Sequence, residues 1–293
     1  MSADEDRPPS RGPDVASAFA VPGPVKRLFA RFPLRVYPPN GPPLRAPQNR
    51  RDPVLYVFAT RRGAVAGAPS FNPGCLKWQA FLKFRGVRFV LASSSNHASP
   101  SGALPFLLPA GSLPPDPVPS NRLAKWASDA AGYPEENSPT SREFSYLGLV
   151  DHNIRRAWLY SLYLTPNFDS VATPLYINAT SSAAAVRLFL ARELVNAATD
   201  ALLGTSSVID AAQLYSEADD AFESLSILLG EDSWFFGADS PGILDAAIFS
   251  YTEPLIQERL GGGGMWVDGT LRQMVLGRPR LVDHRNRILG MYF

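Results

Sequence analysis

The chain has 293 residues, 45% of them hydrophobic, and a formal net charge of +1. That length is enough to bury a large core divided between two lobes. A single cysteine, Cys75, excludes an internal disulfide and points to a reducing compartment. No stretch approaches the roughly 18 uninterrupted apolar residues of a membrane-spanning helix.

The near-zero net charge conceals strong segregation. Residues 1–92 carry fifteen Lys or Arg against five Asp or Glu, and from Glu193 to Glu258 there are thirteen acids and no base. The tail turns basic again through Arg259, Arg272, Arg278, Arg280, Arg285 and Arg287. Two readings follow: the segments neutralise one another within the fold, or they leave a dipolar surface that orients a partner.

Residues 1–53 hold twelve prolines and no long periodic apolar run, the pattern of an extended basic arm. Its acidic first residues, MSADEDRPPS, argue against a mitochondrial presequence, and there is no secretory apolar core. Within the arm, Val25, Leu28, Phe29 and Phe32 fall at i, i+3, i+4 and i+7, with Lys26, Arg27 and Arg31 opposite. This predicts one short amphipathic helix ended by Pro33, which either docks on a partner or pins the arm to its own body.

From residue 54 a β-α-β-β unit is predicted: strands at 54–60, 87–93 and 103–108 around one helix. Asn72 suits the helix N-cap and Pro73 its first position, while Gly86 stops it. Leu76, Trp78, Phe81, Leu82 and Phe84 leave no wide polar face, so the helix is expected to be covered on two sides, by the sheet and by the C-terminal half. The segment 61–71 reads as a long loop. Its Arg61-Arg62 pair lacks the wide basic face and aromatic platforms of a nucleic-acid site. Cys75 sits in the first helical turn, where the helix dipole favours a thiolate nucleophile; the alternative is a small apolar filler.

A proline-laden run leads to a short helix at 121–131 with Leu123, Trp126 and Ala127 on its apolar side. Residues 132–141 read as a linker between a 54–131 domain and an all-helical 142–293 domain. In the second domain Leu147, Val150, Ile154, Ala157, Ser161 and Leu164 mark one buried face, with Asp151 and Arg155 paired at i, i+4 on another. Helices are expected at 181–203 and 207–230, the latter burying Val208, Ala211, Tyr215, Ala218, Phe222, Leu225 and Leu229. Asp245 is placed to reach the backbone three residues earlier, as half of a capping box. The glycine run 261–264 lacks the Lys-Ser/Thr of a phosphate cradle and reads as a flexible loop. His97, His152 and His284 have neither zinc-ligand spacing nor a nucleophile partner, so no metal and no catalytic residue is assigned.

A proline after Leu104, the linker, the helical domain and the Asp245 site together resemble the glutathione-transferase-like fold: an α/β thioredoxin-like N-terminal domain followed by an all-α C-terminal domain. More specifically, FNPGCLKWQAFLKF, SPSGALPFL, LVDHNIRRAWLY, WFFGADSPGILDAAIFSY and PRLVDHRNRILGMYF resemble metaxins, in order through both domains. Without an apparent C-terminal span, the chain is most similar to the smaller, peripheral fungal metaxin-2-type subunit of the mitochondrial outer-membrane sorting and assembly machinery.

The resemblance implies a non-enzymatic role without cofactor. It implies binding to the β-barrel insertase subunit on the cytosolic side, pairing with a second metaxin-like subunit, and recognition of β-barrel precursor sorting signals, with membrane association through partners and no nucleic acid. Partner contacts are expected from Lys26, Arg27, Phe29, Arg31, Phe32, Arg50 and Arg51. A peptide groove taking an added strand is expected near Cys75, Asn96, Leu104 and Pro105. The alternative is a glutathione-dependent transferase using Ser70 or Cys75 beside the thiol. Against it, the acid-serine pair that holds the glutathione amino end in transferases is Pro119-Ser120 here.

Overall fold

The computed structural model describes residues 49–112, 116–132, 140–257 and 265–293, all within one compact unit, Gln48–Phe293. The predicted arm helix with Lys26, Arg27, Phe29, Arg31 and Phe32, most of the expected linker and the glycine run 261–264 lie outside the described residues.

The N-terminal lobe is a four-stranded sheet with helices. Strand β1 (Asn49–Arg50) precedes β2 (Val54–Val57), the short helix α1 (Arg61–Val65), α2 (Pro73–Phe84) and β3 (Val90–Ser93). Then come β4 (Phe106–Leu108), β5 (Gly111–Ser112), β6 (Val118–Pro119) and α3 (Leu123–Ala131). The sheet order is β3-β2-β4-β6. β2 runs parallel to β3, Val54 opposite Val90, and antiparallel to β4, Val54 opposite Leu108; β4 pairs antiparallel with β6. Separately, β1 pairs with β5, Arg50 opposite Gly111. The Leu104-Pro105 bond is cis.

Two corrections concern this lobe. Part of the expected 61–71 loop is helical, because Thr60 caps it by accepting the Gly63 N–H at 3.0 Å. The edge strand β6 was not expected, and its proline is tolerated because it lies on the sheet's edge. The start of α2 is as predicted: Asn72 Oδ1 accepts the Cys75 N–H at 3.1 Å and Pro73 opens the helix. At its far end Gly86 takes a φ of 66°, letting the Gly86 and Val87 N–H groups close on Lys83 and Leu82 carbonyls.

The helical lobe begins at α4 (Ser141–Leu149), capped by Thr140, and passes through a π-helical turn (Val150–Ile154) into α5 (Arg155–Tyr163). A second π-helical segment (Phe168–Ile177), with Pro174 inside, leads to α6 (Ala184–Leu203) and α7 (Ala211–Leu229). The chain ends with α8 (Ile243–Ile256), α9 (Thr270–Leu276) and α10 (Pro279–Tyr292). Asp210 is the cap of α7, accepting from Ala212 and Gln213, so the helix starts later than expected and Val208 is exposed. Leu214 and Ala221 join Ala218, Phe222, Leu225 and Leu229 on its buried side. Asp151 and Arg155 are both exposed and form no ion pair, although they stand at the right spacing.

Helix α8 is the centre of the molecule. Every residue from Leu244 to Leu255 is buried; the sequence is mostly apolar, and its buried carboxylates Asp245 and Glu253 are bonded to His284 and Arg285. It packs against α2 on one side and α9 and α10 on another. Trp234, Ala246, Phe249 and Ile288 of the helical lobe therefore share one core with Leu76, Phe81 and Leu82 of α2. Burial of each such large side chain contributes about 1.5–3 kcal/mol, which explains why the two lobes form one unit. This is the cover over the second face of α2 that its sequence demanded.

Electrostatics reinforce the packing. Arg278 binds Asp219 (2.7 Å) and Glu223 (3.0 Å) on α7, Arg280 binds Glu231 (2.8 Å), Arg285 binds Glu253 (2.5 Å), and Arg156 binds Glu217 (3.1 Å). The basic tail is thus the counter-charge of part of the acidic run. Among the described residues no helix is long and apolar enough to cross a membrane, and no group of His, Cys, Asp and Glu is arranged to hold a metal.

Candidate functional site

The cleft between the lobes is where a glutathione-transferase-like chain would bind a ligand. It has a volume of about 160 Å³ and is lined by Phe58, Asn96, His97 and Tyr176 from its floor and rim, and by Leu190 and Glu193 of α6. The β2 strand delivers Phe58 to it, and the turn after β3 delivers Asn96.

The residues that would serve a thiol are engaged elsewhere. Ser70 is 1% exposed; its Oγ donates to the Phe58 carbonyl at 2.6 Å and accepts the Asn72 N–H at 3.2 Å. Its own N–H goes to Gln79 Oε1 at 2.9 Å, while Gln79 Nε2 donates to the Ala68 carbonyl. Gln79, buried in an apolar helix, thereby satisfies the backbone of the loop before α2. Cys75 is 0% exposed, and burial pushes its thiol up to about 12 despite hydrogen bonds from Phe58 and Ser70 that act the other way. The dipole of α2 does not overcome desolvation, so the nucleophile reading fails and the apolar-filler reading stands.

The expected strand-adding groove is also corrected. Leu104 N–H, the group that would pair with an incoming backbone, donates to Asn96 Oδ1 at 3.0 Å. Pro105 and Cys75 are buried and reach no groove, and Leu104 is half-buried; of the four groove residues only Asn96 is open to solvent and lines the cleft. Asn96 therefore holds the Leu104 backbone while staying exposed in the cleft.

Phe58 and Tyr176, which line the cleft, pack together with Phe71. Phe58, Phe71 and Tyr176 stack edge-on with ring centres 5.1 Å apart for Phe58–Tyr176 and for Phe71–Tyr176. Asn72 Nδ2 donates to the Tyr176 hydroxyl at 3.3 Å, so the N-cap of α2 also ties the two lobes together. Burial, and then neighbouring Tyr163, hold the Tyr176 phenol well above its ordinary range. It stays neutral and gives no base to the cleft. No local pattern marks Tyr176, whose contact with Asn72 joins segments 104 residues apart, and the Asn96–Leu104 bond depends on the shape of one turn.

Asp245 is at the predicted place and does more than predicted. Its Oδ2 accepts the Gly242 N–H at 2.8 Å, the half capping box; Gly242 has no side chain to return the bond. Its Oδ1 accepts the Phe235 N–H at 3.3 Å and bonds His284 Nε2 at 2.8 Å. His284, 0% exposed, therefore joins α10 to the start of α8. Arg50 and Arg51 lie far from this cleft, at the opposite end of the sheet: Arg50 is partly buried in β1 and Arg51 exposed.

The fold and the cleft define a glutathione-transferase-like protein in which Ser70 and Cys75, the candidate thiol-serving side chains, are buried. Models of the glutathione S-transferase N-terminal and C-terminal domains match residues 73–168 and 218–288. The solved glutathione transferase GSTFuA3 from Phanerochaete chrysosporium is 13% identical, covering 83% of this chain and 98% of its own, with a TM-score of 0.55, a likeness of fold alone. Metaxin-3 of Xenopus laevis is 29% identical over 244 residues, covering 79% of this chain and 75% of that protein. Metaxin-1 of Macaca fascicularis is 26% identical, covering 78% and 72%. Across most of its length the chain is thus similar to metaxins, with glutathione S-transferase N- and C-terminal domains. These relatives carry the names Metaxin-3 and Metaxin-1, so the narrower metaxin-2-type expectation rests on the sequence reading alone.

Proposed function

We propose that the chain is a non-enzymatic, peripheral subunit of the mitochondrial outer-membrane sorting and assembly machinery. On the cytosolic face it binds the β-barrel insertase, pairs with a second metaxin-like subunit, and helps recognise, insert and release β-barrel precursors. Similarity to metaxins over most of the chain is the observation that carries this reading. The cleft supports it: with Ser70 and Cys75 buried and Leu104 N–H spent on Asn96, the fold's usual chemistry has no reactive group to work with. Fold alone favours the transferase alternative, and fold is a poor guide to chemistry.

The two readings separate in one pair of assays. Depletion of the chain should slow assembly of newly imported β-barrel proteins, and the purified chain should give no glutathione conjugation above buffer. Normal barrel assembly, together with conjugation that disappears in Cys75→Ala or Ser70→Ala, would reverse the assignment.

A further inference from the structure

The charge of the two lobes does not cancel locally. In the described part of the N-terminal lobe ten Lys or Arg stand against three acids, Asp52, Asp116 and Asp129; in the described helical lobe ten face seventeen acids. Among the described residues the N-terminal lobe carries seven excess positive charges and the helical lobe seven excess negative ones. The acidic end is partly internal, spent on the α7 and α10 ion pairs. By contrast Arg50, Arg51, Arg61, Arg62 and Arg88 take part in no ion pair among the described residues, and Arg50 Nη1 is buried without a hydrogen-bond partner.

Part of this charge is gathered at one place. The α2–β3 turn, the residue before β2 and the residues after β4 meet at the end of the sheet opposite the interlobe cleft, because β2 and β3 are parallel and β4 runs against them. An open cleft of about 620 Å³ lies there, lined by Pro53, Arg85, Val87, Arg88, Pro109 and Trp126. Arg50 and Arg51 precede Pro53, and Arg50 pairs with Gly111 just beyond it. On the far side of Arg88 a second hollow presents Val65, 91% exposed, and Val90, 49% exposed.

We infer that this end of the N-terminal lobe, centred on Arg51, Arg88 and Trp126, is a docking face for an anionic phospholipid surface. Guanidinium groups match headgroup phosphates. Trp126 supplies the amphipathic ring favoured at membrane interfaces. Exposed Val65 and Val90 beside the arginines favour an interface with an apolar interior over a nucleic acid. Attraction of the positive lobe and repulsion of the negative one fix the orientation, so the α7 side points to water. This deepens the peripheral-membrane reading and rests on it for the choice of a membrane. The test needs no other protein, so it can fail while association with the barrel machinery stands.

The experiment is co-sedimentation of the purified full chain with phosphatidylcholine vesicles, with and without phosphatidylserine, at low and high salt. Binding is expected only with phosphatidylserine, and is expected to weaken as salt shortens the screening length. Arg51→Gln with Arg88→Gln should lower partitioning about 25-fold, at about 5-fold per arginine, with an unchanged melting temperature because neither side chain is paired. Since the native cysteine is buried, Ala110→Cys accepts an environment-sensitive dye that should shift on vesicles, whereas the same dye on Asp220→Cys should not. Equal binding to neutral vesicles, full binding by the double variant, dye shifts at position 220 alone, or displacement from the vesicles by duplex DNA would each overturn the inference.

Discussion

Asp245→Ala is the perturbation that most fully tests how the helical lobe ties α10 to the start of α8. The carboxylate is 2% exposed and accepts from Gly242 N–H, Phe235 N–H and His284 Nε2. Loss of the α8 cap costs about 1 kcal/mol. The Phe235 bond is long, so its loss costs about 1 kcal/mol, and a buried His284 left without its acceptor costs about 2 kcal/mol. The total, about 4 kcal/mol, is a large share of a domain's stability of about 5–15 kcal/mol. For a unit of this size it corresponds to a melting temperature lower by roughly 8–16 °C. Thermal melts by circular dichroism measure the drop, and limited proteolysis should show α10 cleaved first, because His284 is its tie to α8. The Asp245→Ala/His284→Leu cycle should show a coupling of at least about 1 kcal/mol. A drop under about 3 °C, or additive effects of the two changes, would refute the reasoning that Asp245 is the joint between α8 and α10.

Cys75 should resist thiol reagents in the native protein and react fully once it is denatured, since burial rather than the helix dipole sets its chemistry; native labelling at the rate of an exposed thiol would contradict this. Arg278→Gln should destabilise by about 1–2 kcal/mol, discounted because Asp219 and Glu223 are about half exposed and regain water, and added salt should shrink the difference in denaturant melts. Asp268 gives the acid limb of the stability profile. Burial opposes its ionisation, but hydrogen bonds from Thr270 and the Tyr215 hydroxyl win and hold its carboxyl below the usual range. A depressed carboxyl contributes stability above its unfolded pKa and loses it as pH falls through the folded one. Asp268→Asn should therefore flatten the fall in melting temperature below about pH 4, and an unchanged profile would show that this carboxylate is not responsible.

What the sequence made legible was local. Asn72-Pro73 and Gly86 bound α2 because caps act within a few residues, and the lack of a wide polar face told that α2 needed two neighbours. The start of α7 was misjudged because Val208 fits the helical period while Asp210, the actual cap, also suits an exposed helical position. Helix α1 escaped because five residues carry no readable period, although Thr60 was a cap in plain view. Strand β6 was missed within a proline-laden run, since pairing with a distant strand decides whether a proline is tolerated there. The Asn96–Leu104 bond was hidden for a more local reason: over eight residues, only the shape of the turn decides whether Asn96 folds onto the Leu104 N–H.

The central claim is that this chain works as part of a membrane-protein assembly machine and not as an enzyme. Its most direct test is affinity purification of the tagged chain from mitochondria in mild detergent, with co-purified proteins identified by mass spectrometry. The account predicts recovery of the β-barrel insertase together with a second metaxin-like subunit. Recovery of the chain alone, from a preparation in which the insertase complex is intact, would contradict it.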